Sequence, residues 1–562
     1  MTTTPAETAA APSLTHRQIV TILIGLMLGM FLAALDQTII ASSIRTIADD
    51  LQGLSQQAWA TTAYLITSTI ATPLYGKLSD IYGRKPFFLF AIGIFVVGSV
   101  LSGFAGSMLW LAIFRGVQGI GAGGLFSLAL SIIGDIVPPR QRAKYQGYFL
   151  AVFGTSSVLG PVVGGFFAGT DTILGLDGWR WVFLINVPLG LIALLVVVRV
   201  LNVAHVRVDH RIDWLGAVFL AVFLVPLLLL AEEGRGWGWT SAAALVSMAV
   251  AVVGLVGFLL AERAAGEEAL LPLRLFRNRT VAVGSILNTV VGMGMFGILA
   301  GLPLYLQLVR GATPTEAGLL LLPLTAGIMA GSIISGQAIS RTGRYKIFPV
   351  VGAFLLTAGA FGFSRIGVDT SMWVTGAIMV VFGLGLGLNM QPLIVAVQNA
   401  VSPREIGVAT ASATFFRQVG GTLGTAVFLS ILFSTAGDNI ASAFRTIAPS
   451  DDFQAALRDP AVLADPANQQ VLQAVQSGGQ LGSGATGVLN DSSFLNQLDE
   501  RLARPFLVGF ADSMDLVFLV ATGILALAIV VVQFLPELPL RTSSGVDAIR
   551  DEEAAKAAAA AH

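Results

Sequence analysis

The chain has 562 residues, of which 55% are hydrophobic and 12% charged, with a net charge of −1 and no cysteine. A soluble protein of this length would need far more charge to cover its surface, and the near-neutral balance offers no basic face for nucleic acid. The lack of cysteine removes disulfides, thiolate metal sites and cysteine nucleophiles together, and His16, His205, His210 and His562 share no ligand spacing, so neither a metal nor a cofactor is expected.

The apolar residues fall in repeated blocks of roughly 20, enough to cross about 30 Å of hydrocarbon as a helix. Residues 1–17 lack the basic start and short apolar core of a cleaved signal, so the first block is read as a spanning helix. Fourteen spans follow, near 18–41, 57–76, 87–106, 108–131, 145–169, 181–200, 213–231, 241–261, 280–305, 316–338, 348–366, 372–397, 407–432 and 513–535. Loops after even-numbered spans carry "GKLSDIYGRK", "PPRQRAK", "RVDHR" (after span six), "RLFRNR", "RTGRYK" and "SPRE". The opposite short loops hold isolated arginines such as Arg45, Arg235, Arg310 and Arg365. The positive-inside rule then makes both termini cytoplasmic, in a multi-pass protein of the cytoplasmic membrane. Residues 433–512, polar and containing "SGGQLGSGATG", are expected to form a partly ordered extracytoplasmic cap.

An internal repeat organises these spans. "GKLSDIYGRK" returns as "GQAISRTGRY" with Gly76, Gly83 and Arg84 matched by Gly336, Gly343 and Arg344, and "GIGAG" at 119–123 returns as "GLGLG" at 383–387. Nearly constant offsets describe two homologous halves with a substrate path between them near the midplane. The expected organisation is all-α, 14 helices as 6+2+6. It comprises a tail at 1–17, a six-helix half at 18–205, two extra helices at 206–265, five helices at 266–432, the external loop at 433–512, a last helix at 513–540 and a tail at 541–562.

These motifs resemble the major facilitator superfamily, in its 14-helix drug:proton antiporter branch. "GKLSDIYGRK" is similar to that family's loop between helices two and three, "FRGVQGIGAGG" to its helix-four motif, and "GTSSVLGPVVGG" to its antiporter motif in helix five. "WRWVFLINVPLG" and "LDQTII" are further marks of the branch, and the whole looks like actinobacterial antibiotic exporters, tetracycline-type ones included. The resemblance implies a cytoplasmic latch of Gly76, Asp80, Gly83, Arg84, Lys85 and Asp135, in which Asp80 meets the start of span thirteen. A helix N-terminus favours such a carboxylate by about 0.3–1 kcal/mol. In span five Gly154, Gly160, Pro161, Gly164 and Gly165 combine small faces with a missing backbone donor, suited to close helix packing, bending and a seal against proton leak.

Two phosphate-loop look-alikes fail. "GIGAGG" lies inside a spanning helix without a preceding strand, and "YGKLS" lacks the upstream glycine, so no ATP site is read and energy is expected from a proton gradient. No constellation suited to catalysis gathers on one side of the membrane, so the chain is not read as an enzyme.

Three charges stand inside the apolar spans: Asp36, Arg115 and Arg417. Each costs about 2.5–3.5 kcal/mol on insertion scales and needs a reason. Asp36 lies about 8 Å from the outer end of span one and Arg115 about 10 Å from that of span four, so neighbouring helices would let them pair. Arg115 favours ionised Asp36 while desolvation favours the protonated acid, so water access could switch it: Asp36 and Arg115 are the expected proton-coupling pair. Gln118, Asn288, Asn389, Gln391, Arg417 and Gln418 are the expected lining of the substrate cavity, and no buried acid is read in the second half. One acid against two arginines favours zwitterionic, neutral or anionic amphiphiles. The expected function is proton-coupled export of amphipathic drugs or antibiotics, by a monomer with small substrates, protons and the lipid bilayer as partners. Export of a membrane lipid or an endogenous metabolite is the alternative.

Overall fold

A computed structural model describes residues 16–52, 56–201, 212–266, 268–469, 471–472, 498–544 and 548. "RVDHR", "SGGQLGSGATG" and the end of the C-terminal tail lie outside the described residues. The longer helices are α1 (His16–Asp50), α2 (Gln57–Tyr82), α3 (Arg84–Gly103), α4 (Met108–Ile136) and α5 (Pro139–Ala168). A two-stranded antiparallel hairpin (Thr172–Ile173 with Leu176–Asp177) leads into α6 (Trp181–Leu184), α7 (Asn186–Val200), α8 (Trp214–Trp237) and α9 (Ala242–Ala265). Then come α10 (Arg279–Leu304), α11 (Pro314–Leu320), α12 (Leu322–Thr342), α13 (Ile347–Phe363), α14 (Met372–Asn399) and α15 (Ile406–Ile447). The short α16 (Asp451–Ala456) and α17 (Pro460–Ala464) precede α18 (Glu500–Gln533).

Among the described residues, eleven helices are long and apolar enough to cross a membrane. Helix formation there is obligatory, because hydrocarbon offers no partner to a free backbone N–H or C=O. Helix α2 is not one of the eleven: Thr61, Thr62, Ser68, Thr69 and Thr72 interrupt its apolar run. The reason lies in its position, since α2 packs on α4 and α15 along the seam of the bundle.

The packing repeats. In the first half α2 and α3 pack on α4, α1 on α5, and α7 on α1 and α3; in the second, α12 and α13 pack on α14, α10 on α15, and α18 on α10 and α13. The two sets meet where α15 crosses α2 and where α5 crosses α12. Helix α4 is central, with 83% of its most apolar stretch buried, whereas α8 and α9 bury 28% and 22% and pair mainly with each other. Close approach of α2 and α4 depends on Gly119, where a Cβ would strike the Tyr64 carbonyl. "GIGAGG" is therefore a packing surface.

Three helices outrun their apolar stretches. Helix α1 continues past the expected end at 41 to Asp50, held by Ile47 and Ala48, both wholly buried. Helix α15 reaches Ile447 rather than 432, and α18 starts at Glu500 rather than 513. Their extensions and α16 enclose an apolar core: Phe444 packs edge-on against Phe506 at 4.9 Å and against Phe453 at 6.1 Å between ring centroids. The described part of 433–512 is thus a helical cap continuous with the core of α10, α13 and α18. Truncating this core, as in Phe506→Ala, should cost about 3–5 kcal/mol. Thermal unfolding of the purified variant should show the loss as a lower midpoint.

Candidate functional site

The site starts from a charge that the apolar sequence of α1 cannot solvate. Asp36 is 0% and Arg115 1% exposed, and Arg115 Nη1 lies 2.6 Å from Asp36 Oδ2. Asp36 Oδ1 accepts from Gln118 Nε2 and from Asn186 Nδ2, each at 2.8 Å. Gln118 also donates to Ser99 Oγ at 2.6 Å and accepts from Arg115 Nη1 at 2.6 Å. Arg115 Nε donates to the Ala60 carbonyl at 3.2 Å, and the guanidinium sits 4.1 Å from the centre of the Tyr64 ring. Five helices, α1, α2, α3, α4 and α7, thus converge on one carboxylate. Charge pairing alone would not cover the desolvation of two ions; the added donors and the aromatic face complete it.

Sequence reasoning found Asp36, Arg115 and Gln118 but not Asn186, Ser99 or Tyr64. Asn186 was within reach, because it is the one side-chain amide in "WRWVFLINVPLG" and opens α7.

Helix α1 also contacts α5. Thr38 Oγ1 donates to the Ser156 carbonyl at 2.9 Å and Ser43 Oγ to the Gly164 carbonyl at 3.1 Å. A Cβ at Gly160 or Gly164 would collide with Thr38 or Ser42, so these glycines set the α1–α5 distance. On its other side α5 meets the second half: Gly154 faces Thr325, and Pro161 lies against Gly318. Gly165 is exposed and takes no part in this contact. Two residues of α1 therefore separate the buried carboxylate from a bond to α5, and α5 in turn meets the second half.

The 76–85 motif forms a second charged cluster. Arg84 Nη2 is 2.5 Å from Asp80 Oδ1 and Arg84 Nε 2.7 Å from Asp135 Oδ2, while Asp80 Oδ2 accepts the Val408 N–H at 2.8 Å, across the halves. Gly76 lies 3.1 Å, measured from an ideal Cβ, from the Gly407 carbonyl, and Gly83 takes φ 103°, a turn suited to glycine. Lys85 does not join the cluster: its Nζ donates to the Val198 carbonyl at 2.7 Å, because α3 turns it toward α7. Further bonds close the same end. Arg142 Nη1 donates to Gln398 Oε1 at 3.2 Å, Gln398 Nε2 to the Leu130 carbonyl at 3.1 Å, and Arg140 to the carbonyls of Ser340 and Arg341. Arg140, Arg142 and Gln398 were not singled out in the sequence, where charged loop residues read as topology signals.

Burial pushes the Asp80 carboxyl up to about 6 against the pull of Arg84, with Asp135 adding to the rise and the Val408 N–H opposing it. In water the group returns to its ordinary value near about 3.9.

The expected cavity residues scatter. Gln418 Oε1 accepts from Thr72 Oγ1 at 3.2 Å, bridging α15 and α2. Arg417 carries a buried Nη1 with no hydrogen bond, and Gln391 a buried Oε1 in the same condition. Asn288 bonds back to the Gly284 carbonyl of its own helix at 2.8 Å. Asn389 bonds back to Gly385 at 2.9 Å and its amide lies over Gly352 of α13, so it faces a helix contact rather than the path between halves. The expectation of no buried acid in the second half is corrected by Asp515 on α18, whose Oδ1 is buried without a hydrogen bond. The early start of α18 covers a residue that hydropathy leaves at the edge of its span. Among the described residues no group of three or more His, Asp or Glu gathers to hold a metal.

The profile of the Major Facilitator Superfamily matches residues 26–425. The chain is 37% identical to "Multidrug transporter protein MdtP" of Bacillus subtilis (strain 168) over 74% of its own length and 75% of that protein's. It is 34% identical to "Multidrug resistance protein 3" of the same organism over 93% and 96%, and 38% identical to the "Tetracycline resistance determinant" of Streptomyces rimosus over 59% and 93%. Among solved structures it resembles the proton:xylose symporter XylE, with a TM-score of 0.57, 15% identity and coverage of 95% and 100%, a likeness of fold alone. The fold and its helix-seam site are those of a membrane transporter rather than an enzyme. The chain belongs to the Major Facilitator Superfamily.

Two outcomes follow. Arg115→Met should cost about 3–5 kcal/mol by stranding a buried carboxylate, and Asp36→Asn in the same chain should recover most of it, read from thermal unfolding of the three variants. For Asp80, a raised value in the closed form means closure binds a proton: it is favoured fully below the ordinary carboxylate range and weakens as pH rises through about 6. Spin labels at Gln141→Cys and Arg341→Cys, in a chain without other cysteines, should show the separation growing over that window, and Asp80→Asn should flatten the response.

Proposed function

We propose that this protein is a proton-coupled exporter of amphipathic drugs or antibiotics. It would cross the cytoplasmic membrane fourteen times as 6+2+6, with both termini in the cytoplasm, and exchange protons for substrate by alternating access of its two halves. The observation that carries this reading is the sealed carboxylate of Asp36, held by Arg115, Gln118 and Asn186 on a helix that also bonds to α5, the helix that packs on α12 of the second half. The names of the relatives support drug export, and the repeated helix pairings support the two-half arrangement.

In the present conformation the 76–142 end is closed by Asp80, Arg142 and Arg140, and Asp36 has no exposed surface. A proton arriving at Asp36 removes the charge that holds Arg115, Gln118 and Asn186 together. Helices α4 and α7 then lose their common anchor on α1, and the shift passes through Thr38 and Ser43 into α5 and its contact with α12. Substrate and proton would thus compete through the position of α5. Arg417, a half-buried cation whose buried Nη1 has no hydrogen bond, suits an acidic or enolate group on the substrate.

Everted vesicles with an acid interior test this. Adding a tetracycline should dissipate the gradient and load the drug; Asp36→Asn should bind drug yet fall to the background of empty vesicles in both signals. Arg417→Gln should impair acidic and zwitterionic drugs more than neutral ones. Full transport by Asp36→Asn, or movement of labelled lipid between leaflets in place of drug uptake, would overturn the assignment.

A further inference from the structure

A second pair of carboxylates lies away from Asp36, where α8 begins and α9 ends. Asp213 Oδ1 accepts the Gly216 N–H at 2.7 Å, capping α8. Glu262, 1% exposed, accepts the Leu271 N–H on Oε2 at 2.9 Å. The remaining oxygens, Asp213 Oδ2 and Glu262 Oε1, are both buried and neither has a hydrogen bond. They face the same gap: a Cβ on Gly216 would collide with Asp213 Oδ2 and stand 3.1 Å from Glu262 Oε1. Glycine leaves that gap clear.

Two buried acceptors that border one gap, neither of them hydrogen-bonded, disfavour the doubly ionised pair. A single proton satisfies both, as the carboxyl O–H of one acid donates to the carboxylate of the other. We propose that Asp213 and Glu262 share one proton, and that this shared proton clamps the loop 268–278 beside the Asp80 latch.

The loop is where the clamp acts. Leu271 is tied to Glu262, while Arg274, three residues on, pairs with Glu405 at 2.9 Å at the foot of α15. Three residues beyond Glu405, Val408 donates to Asp80. Pro272, Arg274 and Leu275 form one wall of a cavity of about 320 Å³, whose other walls include Lys77, Asp80 and Val408. Among the described residues the charge that faces Glu262 from α2 is Lys77, itself surrounded by Asp80 on α2 and by Glu268 and Arg274 on the loop, and Arg274 pairs with Glu405 before α15. Lys77 attracts Glu262 and so opposes the shared proton, while Asp213 favours it. Loss of the proton leaves two facing carboxylates that repel; the end of α9 then separates from α8 and draws Leu271 and the loop away from the latch. The inference rests on the latch geometry and not on proton-coupled drug export, so either can fail alone.

The test uses the full-length chain in lipid nanodiscs, spin-labelled at Leu215→Cys on α8 and Leu273→Cys on the loop, both exposed positions. Raising the pH through neutrality should lengthen this distance in one step. Glu262→Gln, whose amide donates to Asp213 without a titrating proton, should hold the short distance at every pH, and Asp213→Asn should do the same from the other side. Asp80→Asn should leave the step in place. A step that survives in both Glu262→Gln and Asp213→Asn would overturn the proposal. So would recovery of the short distance at high pH on adding sodium, potassium or magnesium, which would make the pair a cation site.

Discussion

One ion pair in a setting without water organises the first half of this molecule. Asp36 would be prohibitively unstable in α1 alone, and Arg115 equally so in α4. Together they require further donors and a polarisable face, and Gln118, Asn186, Ser99 and Tyr64 supply them. Those requirements dictate which faces of α1, α2, α3, α4 and α7 turn inward. Small residues on the remaining face of α1 then bring α5 close enough for Thr38 and Ser43 to bond with its backbone. A charge and a sliding surface consequently share one helix.

The latch works by a different balance. Asp80, Arg84 and Asp135 form their ion pairs within the first half, and Asp80 also reaches across to the second. There it meets the N–H of Val408, near the start of α15. Burial of Asp80 makes closure itself a protonation equilibrium, and the loop of Leu271 and Arg274 links that equilibrium to the paired acids at Asp213 and Glu262. Arginine-paired carboxylates thus stand at Asp36 and at Asp80, the first on the helix that bonds to α5 and the second at the contact of α2 with α15.

Much of this was legible in the amino-acid sequence because membranes punish charge. Asp36, Arg115 and Arg417 stood out in apolar runs, and helical rise alone put Asp36 and Arg115 at similar depths. Neutral amides were harder: Asn186 and Asn389 look alike in sequence, yet one completes the buried site and the other bonds back to its own helix and faces α13. Hydropathy also ended α1 at 41 and started α18 at 513, whereas tertiary packing extends both, which explains why the covered oxygen of Asp515 escaped notice. Lys85 was drawn into the latch by its neighbours in the motif, but one helical step turns it to Val198. Glu262 drew no reading in the sequence, just past the end of its span at 261, and only the fold brings it and Asp213 to one gap.

The central claim is that the buried carboxylate of Asp36 exchanges its proton against substrate. It is tested most directly by adding drug to the purified chain in weakly buffered solution and measuring proton release. Binding should release protons, and the release should disappear in Asp36→Asn while the drug still binds. Equal release from the Asp36→Asn protein would contradict it.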